Sequence, residues 1–152
     1  MGLFDNFSKV RAKEVTLTKD EAKLLAGFII VLGDADLIDE DDINASISIR
    51  EEELKRFIIN QDEDFDIEDY SDDIQSYLID KDIETLAQMV SEALDDNEKL
   101  TLITNMIDIS FIDGEVDEDE EKIINTFAEV FAIDKDLLYQ IINVLMIKNN
   151  IF

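Results

Sequence analysis

Histidine, cysteine, tryptophan and proline are absent from this 152-residue chain, and glycine occurs only four times. Each absence excludes chemistry. Without cysteine or histidine there are no thiol nucleophiles, Ser–His triads, structural zinc sites or imidazole bases. Any metal must be held by oxygen, which selects hard cations, Ca²⁺ first and then Mg²⁺ or Mn²⁺. No disulfide can form, so cysteine usage carries no information about redox compartment. Tryptophan, the commonest platform for a sugar ring, is missing. The longest apolar run, LLAGFIIVLG, is half of the roughly 20 residues that a membrane span needs. The N-terminus MGLFDNFSKVRAKEV lacks the order of a signal peptide, and Asn6 breaks the myristoylation pattern. A cytoplasmic protein is expected, with the inner membrane face as an alternative peripheral location.

Acid is abundant. The chain has 39 Asp and Glu against 13 Lys and Arg, a net charge of −26, yet 46% of its residues are hydrophobic. That combination describes a folded acidic domain. It argues against direct nucleic-acid binding, because phosphate is repelled, and favours cations or a basic protein face. The charge is uneven. Residues 1–23 hold five basic and four acidic groups, net +1, and the remainder holds eight basic and 35 acidic groups, net −27.

Apolar residues recur with a period near 3.6, so an all-α single-domain helical bundle is expected. Thr18 and Glu21 form a capping box opening a helix that buries Leu24, Leu25, Phe28, Ile29, Val31 and Leu32 up to about Gly33. A short helix is expected from about Asp39 and another over 51–59. The alternating stretch NASISI is read as helix, and 60–73 as a loop or short helix. DKDIETLAQMVSEAL places Ile83, Leu86, Ala87, Val90 and Leu94 on one helical face. Further helices are expected at about 97–111, 118–131 and 135–147, with Asp117 and Asp134 as N-caps and Asp117 paired to Glu120 as in a capping box.

Sliding the first half by 78 residues places Leu24 on Leu102, Leu25 on Ile103, Phe28 on Met106, Ile29 on Ile107 and Val31 on Ile109. Ile38, Asp39 and Asp42 then fall on Val116, Asp117 and Glu120. The chain therefore reads as two pseudo-repeats of helix, acidic turn and helix, at about 18–60 and 97–148, inside a domain of 18–152 preceded by a mildly basic segment of 1–17. The second turn, FIDGEVDEDEE, packs six carboxylates into residues 115–121. At about 5 Å and an effective dielectric constant of 20 to 80, each such pair costs roughly 1 to 3 kcal/mol before screening. Asp113, Gly114, Val116, Asp117 and Glu120 match positions 5, 6, 8, 9 and 12 of an EF-hand loop, but Ile109 and Phe111 stand at positions 1 and 3 and cannot ligate. A standard EF-hand is excluded, and a half-loop that borrows other carboxylates is not.

The two turns, LGDADLIDEDD and FIDGEVDEDEE, with AGFIIVL before the first, EELKRF at 52–57 and DKDLL near the end, resemble the TerB tellurite-resistance family over about residues 18–140. In the second turn Asp113, Gly114, Asp117 and Glu120 match that family's pattern in full. The first turn offers Ala35, Asp36, Asp39 and Asp42; either Asp34 or Asp36 substitutes for the missing leading Asp through a local shift, or this half has lost its site. The resemblance implies an all-α pseudo-repeat fold, a cytoplasmic role in tellurite and stress resistance, no enzymatic activity, and divalent-metal binding through these acids. It also implies membrane-bound and calcium-binding partners of the same system.

Two readings of the acids stay open. Asp117 and Glu120 suit a helix N-terminus, where a carboxylate satisfies free N–H groups and the helix dipole. Asp113 and Glu115 are less needed there and point to a cation. Glu118, Asp119 and Glu121 read as a solvated face. The candidate metal ligands are thus Asp113, Glu115, Asp117 and Glu120, then Asp34, Asp36, Asp39 and Asp42. A metal-independent acidic adaptor or nucleic-acid mimic that binds a basic protein is the alternative. A carboxylate-pair hydrolase is disfavoured, since no other acid–base or nucleophilic group accompanies the acids. Leu3, Phe4, Phe7 and Val10 make an apolar stripe beside Lys9, Arg11 and Lys13, so residues 1–14 either dock onto the body or reach a partner or membrane surface.

Overall fold

The computed structural model describes residues 17–32, 76–78, 81–111 and 116–151. Five helices have defined bounds: α1 (Lys19–Leu32), α2 (Ile83–Ala93), α3 (Asp96–Ser110), α4 (Glu118–Val130) and α5 (Lys135–Lys148). Residues 76–78 are also helical, and among the described residues there is no strand. The expectations for 1–16, the short helices near 39 and at 51–59, NASISI and the run at 60–73 all lie outside the described residues.

Helix starts follow from their caps. Thr18 and Glu21 form the expected box, with the Glu21 N–H donating to Thr18 Oγ1 at 3.2 Å and the Thr18 N–H to Glu21 Oε1 at 3.3 Å. Asp82, Asp95 and Asp117 each accept the backbone N–H three residues on, at 2.8, 2.8 and 2.7 Å. Asp134 precedes α5 as expected but makes no capping bond. Its ψ is 134°, against 167–175° at the three bonded Asp caps, so its carboxylate is not aimed over the first turn.

Two helix ends close without glycine. With so little glycine, the left-handed residue after α4 is Ala132 (φ 55°) and after α5 is Asn150 (φ 56°). Both ends are Schellman motifs. Ile133 and Ala132 donate to Ala128 O and Glu129 O at 3.1 and 3.0 Å, and Ile151 and Asn150 to Met146 O and Ile147 O at 2.9 and 3.2 Å. Asparagine suits that conformation, but alanine is there against a steric cost of about 1–2 kcal/mol.

α1 is the central helix and packs against α2, α3 and α4; α2 packs on α4, and α3 on α4 and α5. Its run from Leu24 to Ile30 is buried on all sides, as a helix enclosed by neighbours requires. Phe28 and Phe127 are the largest fully buried side chains, and truncating either to alanine costs about 3–5 kcal/mol. Phe127 also meets Phe131 edge-on at 5.6 Å. The matched pairs Leu24/Leu102, Leu25/Ile103, Phe28/Met106 and Ile29/Ile107 are all buried. The N-caps Thr18 and Asp95 stand one residue off that register. The acidic turn of the first half lies outside the described residues, so only the burial of these leading-helix positions is common to the two halves. α5 is clipped to α3 by Asp108, which accepts Lys148 Nζ at 2.6 Å and Asn149 Nδ2 at 2.9 Å.

Candidate functional site at the start of α4

The second acidic turn joins the end of α3 to the start of α4. Phe111 caps α3 and is buried, and Val116 packs against the core just before the Asp117 cap. Both ends of the turn are therefore anchored by apolar burial. Of the expected ligands, Asp117 and Glu120 are described and are brought together. Asp113, Glu115, Asp34, Asp36, Asp39 and Asp42 lie outside the described residues. Glu118, Asp119 and Glu121 are exposed, as a solvated face should be.

Asp117 Oδ1 accepts the Glu120 N–H at 2.7 Å. The Glu120 side chain is only half-exposed and lies beside Ser110, the last residue of α3. Burial, followed by the neighbouring Asp117 carboxylate, pushes the Glu120 carboxyl up to about 7. The Ser110 hydroxyl and the Asp117 backbone N–H pull the other way without cancelling the rise. Ser110 Oγ also donates to Met106 O at 2.9 Å. One hydroxyl proton serves one acceptor at a time. An ionised Glu120 must compete for it, whereas a protonated Glu120 can itself donate to Ser110 Oγ.

Among the described residues, no lysine or arginine pairs with Glu120, and no group of three acids is close enough to hold a metal. Asp117 and Glu120 thus supply two hard oxygen donors, and a full coordination shell requires more. Ser110 was not singled out from sequence. The available signal was a small hydroxyl at the end of an otherwise apolar helix face, immediately before the turn.

No helix among the described residues is long and apolar enough to cross a membrane. No curated protein and no solved structure matches the chain. The family model described as tellurite resistance protein TerB matches residues 43–141, a span that includes Asp113, Glu115, Asp117 and Glu120 and begins after Asp34, Asp36, Asp39 and Asp42. The match covers well over half of the chain, which belongs to the TerB family.

Proposed function

We propose that this TerB-family chain binds one divalent cation, Ca²⁺ ahead of Mg²⁺ or Mn²⁺, through Asp117 and Glu120 together with Asp113 and Glu115. In this reading it acts in tellurite and stress resistance as an interaction module for membrane-associated and calcium-binding proteins, and it performs no chemistry of its own. The observation that carries the reading is the Glu120 carboxyl, half-buried beside a second carboxylate with no cationic side chain paired to it among the described residues. A hard cation would relieve both the burial and the repulsion. Asp34, Asp36, Asp39 and Asp42 form a secondary candidate, with a weaker match to the pattern.

The second reading is a metal-independent acidic adaptor for a basic protein. It is favoured by the net charge of −26 and by the lack of a three-acid cluster among the described residues. A Ca²⁺ titration followed residue by residue by NMR at constant ionic strength separates the two. Cation binding predicts saturable shifts centred on residues 111–121. Small, non-saturating shifts spread over all acidic surfaces would leave the adaptor.

A further inference from the structure

α4 and α5 are consecutive, yet α5 packs on α3 rather than lying along α4. A groove of about 510 Å³ opens between them. That size falls within the roughly 300–1,000 Å³ typical of binding sites. Its floor is apolar: Ile107 of α3 and its C-cap Phe111, Ile124 of α4 and Leu138 of α5. The α4 wall runs from Glu121 through Asn125 to Glu129, a single helical face about 12 Å long at about 1.5 Å per residue. Tyr139, 63% exposed, forms part of the α5 lip.

We infer that this groove docks an amphipathic helix of a partner protein, apolar on the face that enters and basic along the flank that meets α4. Both walls are helices, so no open sheet edge is offered to a strand, and the mode is helix-in-groove. The α4 wall carries Glu121 and Glu129, and the exposed Asp117, Glu118 and Asp119 stand at the start of the same helix. Lys135 stands on the opposite wall and sets the polarity, since a basic flank placed there would be repelled. The inference deepens the interaction part of the proposed function and rests on it only there. Cation binding and groove docking can fail separately.

The test titrates the full chain with a synthetic amphipathic helix of leucine and lysine, and with its leucine–glutamate counterpart, at 0.15 M salt. Saturable binding of the lysine peptide alone is expected, with NMR shifts at Val116, Ile124, Asn125, Tyr139 and Ile142. The double variant Glu121→Lys/Glu129→Lys should weaken it about fivefold or more, the scale of two exposed charge pairs. Glu84→Lys/Glu92→Lys on α2 makes the same change in net charge and should weaken it far less, and Lys135→Glu should strengthen it. Equal weakening by the two double variants would reduce the effect to net charge and overturn the inference. So would shifts centred elsewhere. Two further results would name a different occupant and overturn it as well: a large gain in affinity on deleting residues 1–14, which assigns the groove to the chain's own segment, or a concentration-dependent dimer that the lysine peptide dissociates.

Discussion

Two helices of this molecule begin with the same four-residue device, Asp95 to Glu98 at α3 and Asp117 to Glu120 at α4, and their glutamates have opposite fates. In both, the Asp side chain holds the Glu N–H, at 2.8 and 2.7 Å. Glu98 then receives Lys19 Nζ at 2.8 Å, with Lys23 at 3.8 Å. Lys19 first, and the Asp95 backbone N–H second, hold its carboxyl down at about 2. Glu120 meets Ser110 and Asp117 instead, and burial raises it to about 7. Both Asp caps hold the Glu N–H, but only α3 completes the capping box, with the Asp95 N–H donating to Glu98 Oε1 at 3.0 Å, and only Glu98 finds a lysine. Where the fold supplies a cation the glutamate is a stabilised anion. Where it supplies none, the charge is held at a cost that a bound cation can offset.

The largest expected effect tests that cost directly. A site with few ligands at the front of its loop should bind Ca²⁺ at about 10⁻⁵ to 10⁻³ M. At a hundredfold excess over Kd, binding adds about 2.7 kcal/mol, a rise of about 5 to 10 °C in Tm. Asp113→Asn should remove most of this rise, and Asp69→Asn in the other acidic run should not. Equal shifts in Ca²⁺ and in ionic-strength-matched Na⁺ would reduce the effect to screening and erase the contrast between the caps.

Next in size are the backbone effects, which set a scale free of metal. Asp117→Ala should cost up to about 1 kcal/mol in denaturant unfolding with chelator present, from the lost cap less the relieved repulsion on Glu120. Ala132→Gly should gain about 1 kcal/mol by relieving the left-handed alanine, with the titrations of both glutamates unmoved. A loss on Ala132→Gly would mean that the alanine methyl contributes more by packing than its backbone costs.

The smallest effects carry the sign of the comparison. Glu98 has a depressed pKa, so its contribution is present above the ordinary carboxylate range and is lost as pH falls toward 2. Glu120 has a raised one, so the favourable state is the protonated one, complete below the ordinary range and lost as pH rises through about 7. Glu98→Gln should therefore destabilise at pH 7. Glu120→Gln should stabilise at pH 8 without metal, change little near pH 4, and abolish the Ca²⁺ response. Parallel changes for the two variants across pH would break the comparison.

Much of the fold was legible because the sequence repeats two simple signals, apolar residues at helical spacing and Asp or Thr just before each start. Those signals placed α3 at 97–111 against the observed Asp96–Ser110, and α4 at 118–131 against Glu118–Val130. The left-handed Ala132 had no sequence signal, because a Schellman motif accepts alanine when its two closing hydrogen bonds form. At the site, the pairing of Asp117 with Glu120 is local and could be read from a spacing of three. The burial that raises Glu120 could not, since it comes, like the contact with Ser110, only through the packing of α3 on α4. Lys19 and Glu98 lie 79 residues apart, and only the packing of α1 on α3 brings them together.

The most direct test follows the side-chain carboxyl carbons of Glu98 and Glu120 by ¹³C NMR from pH 3 to 9, with and without saturating Ca²⁺. Without metal, Glu120 should titrate near 7, and Glu98 should remain ionised across the whole range. With Ca²⁺, the Glu120 midpoint should fall to the ordinary carboxylate range or below, with proton release on binding at pH 7, and Glu98 should not move. A Glu120 midpoint that starts in the ordinary range, or one that starts near 7 and ignores Ca²⁺, would contradict the claim that this carboxyl is waiting for a cation.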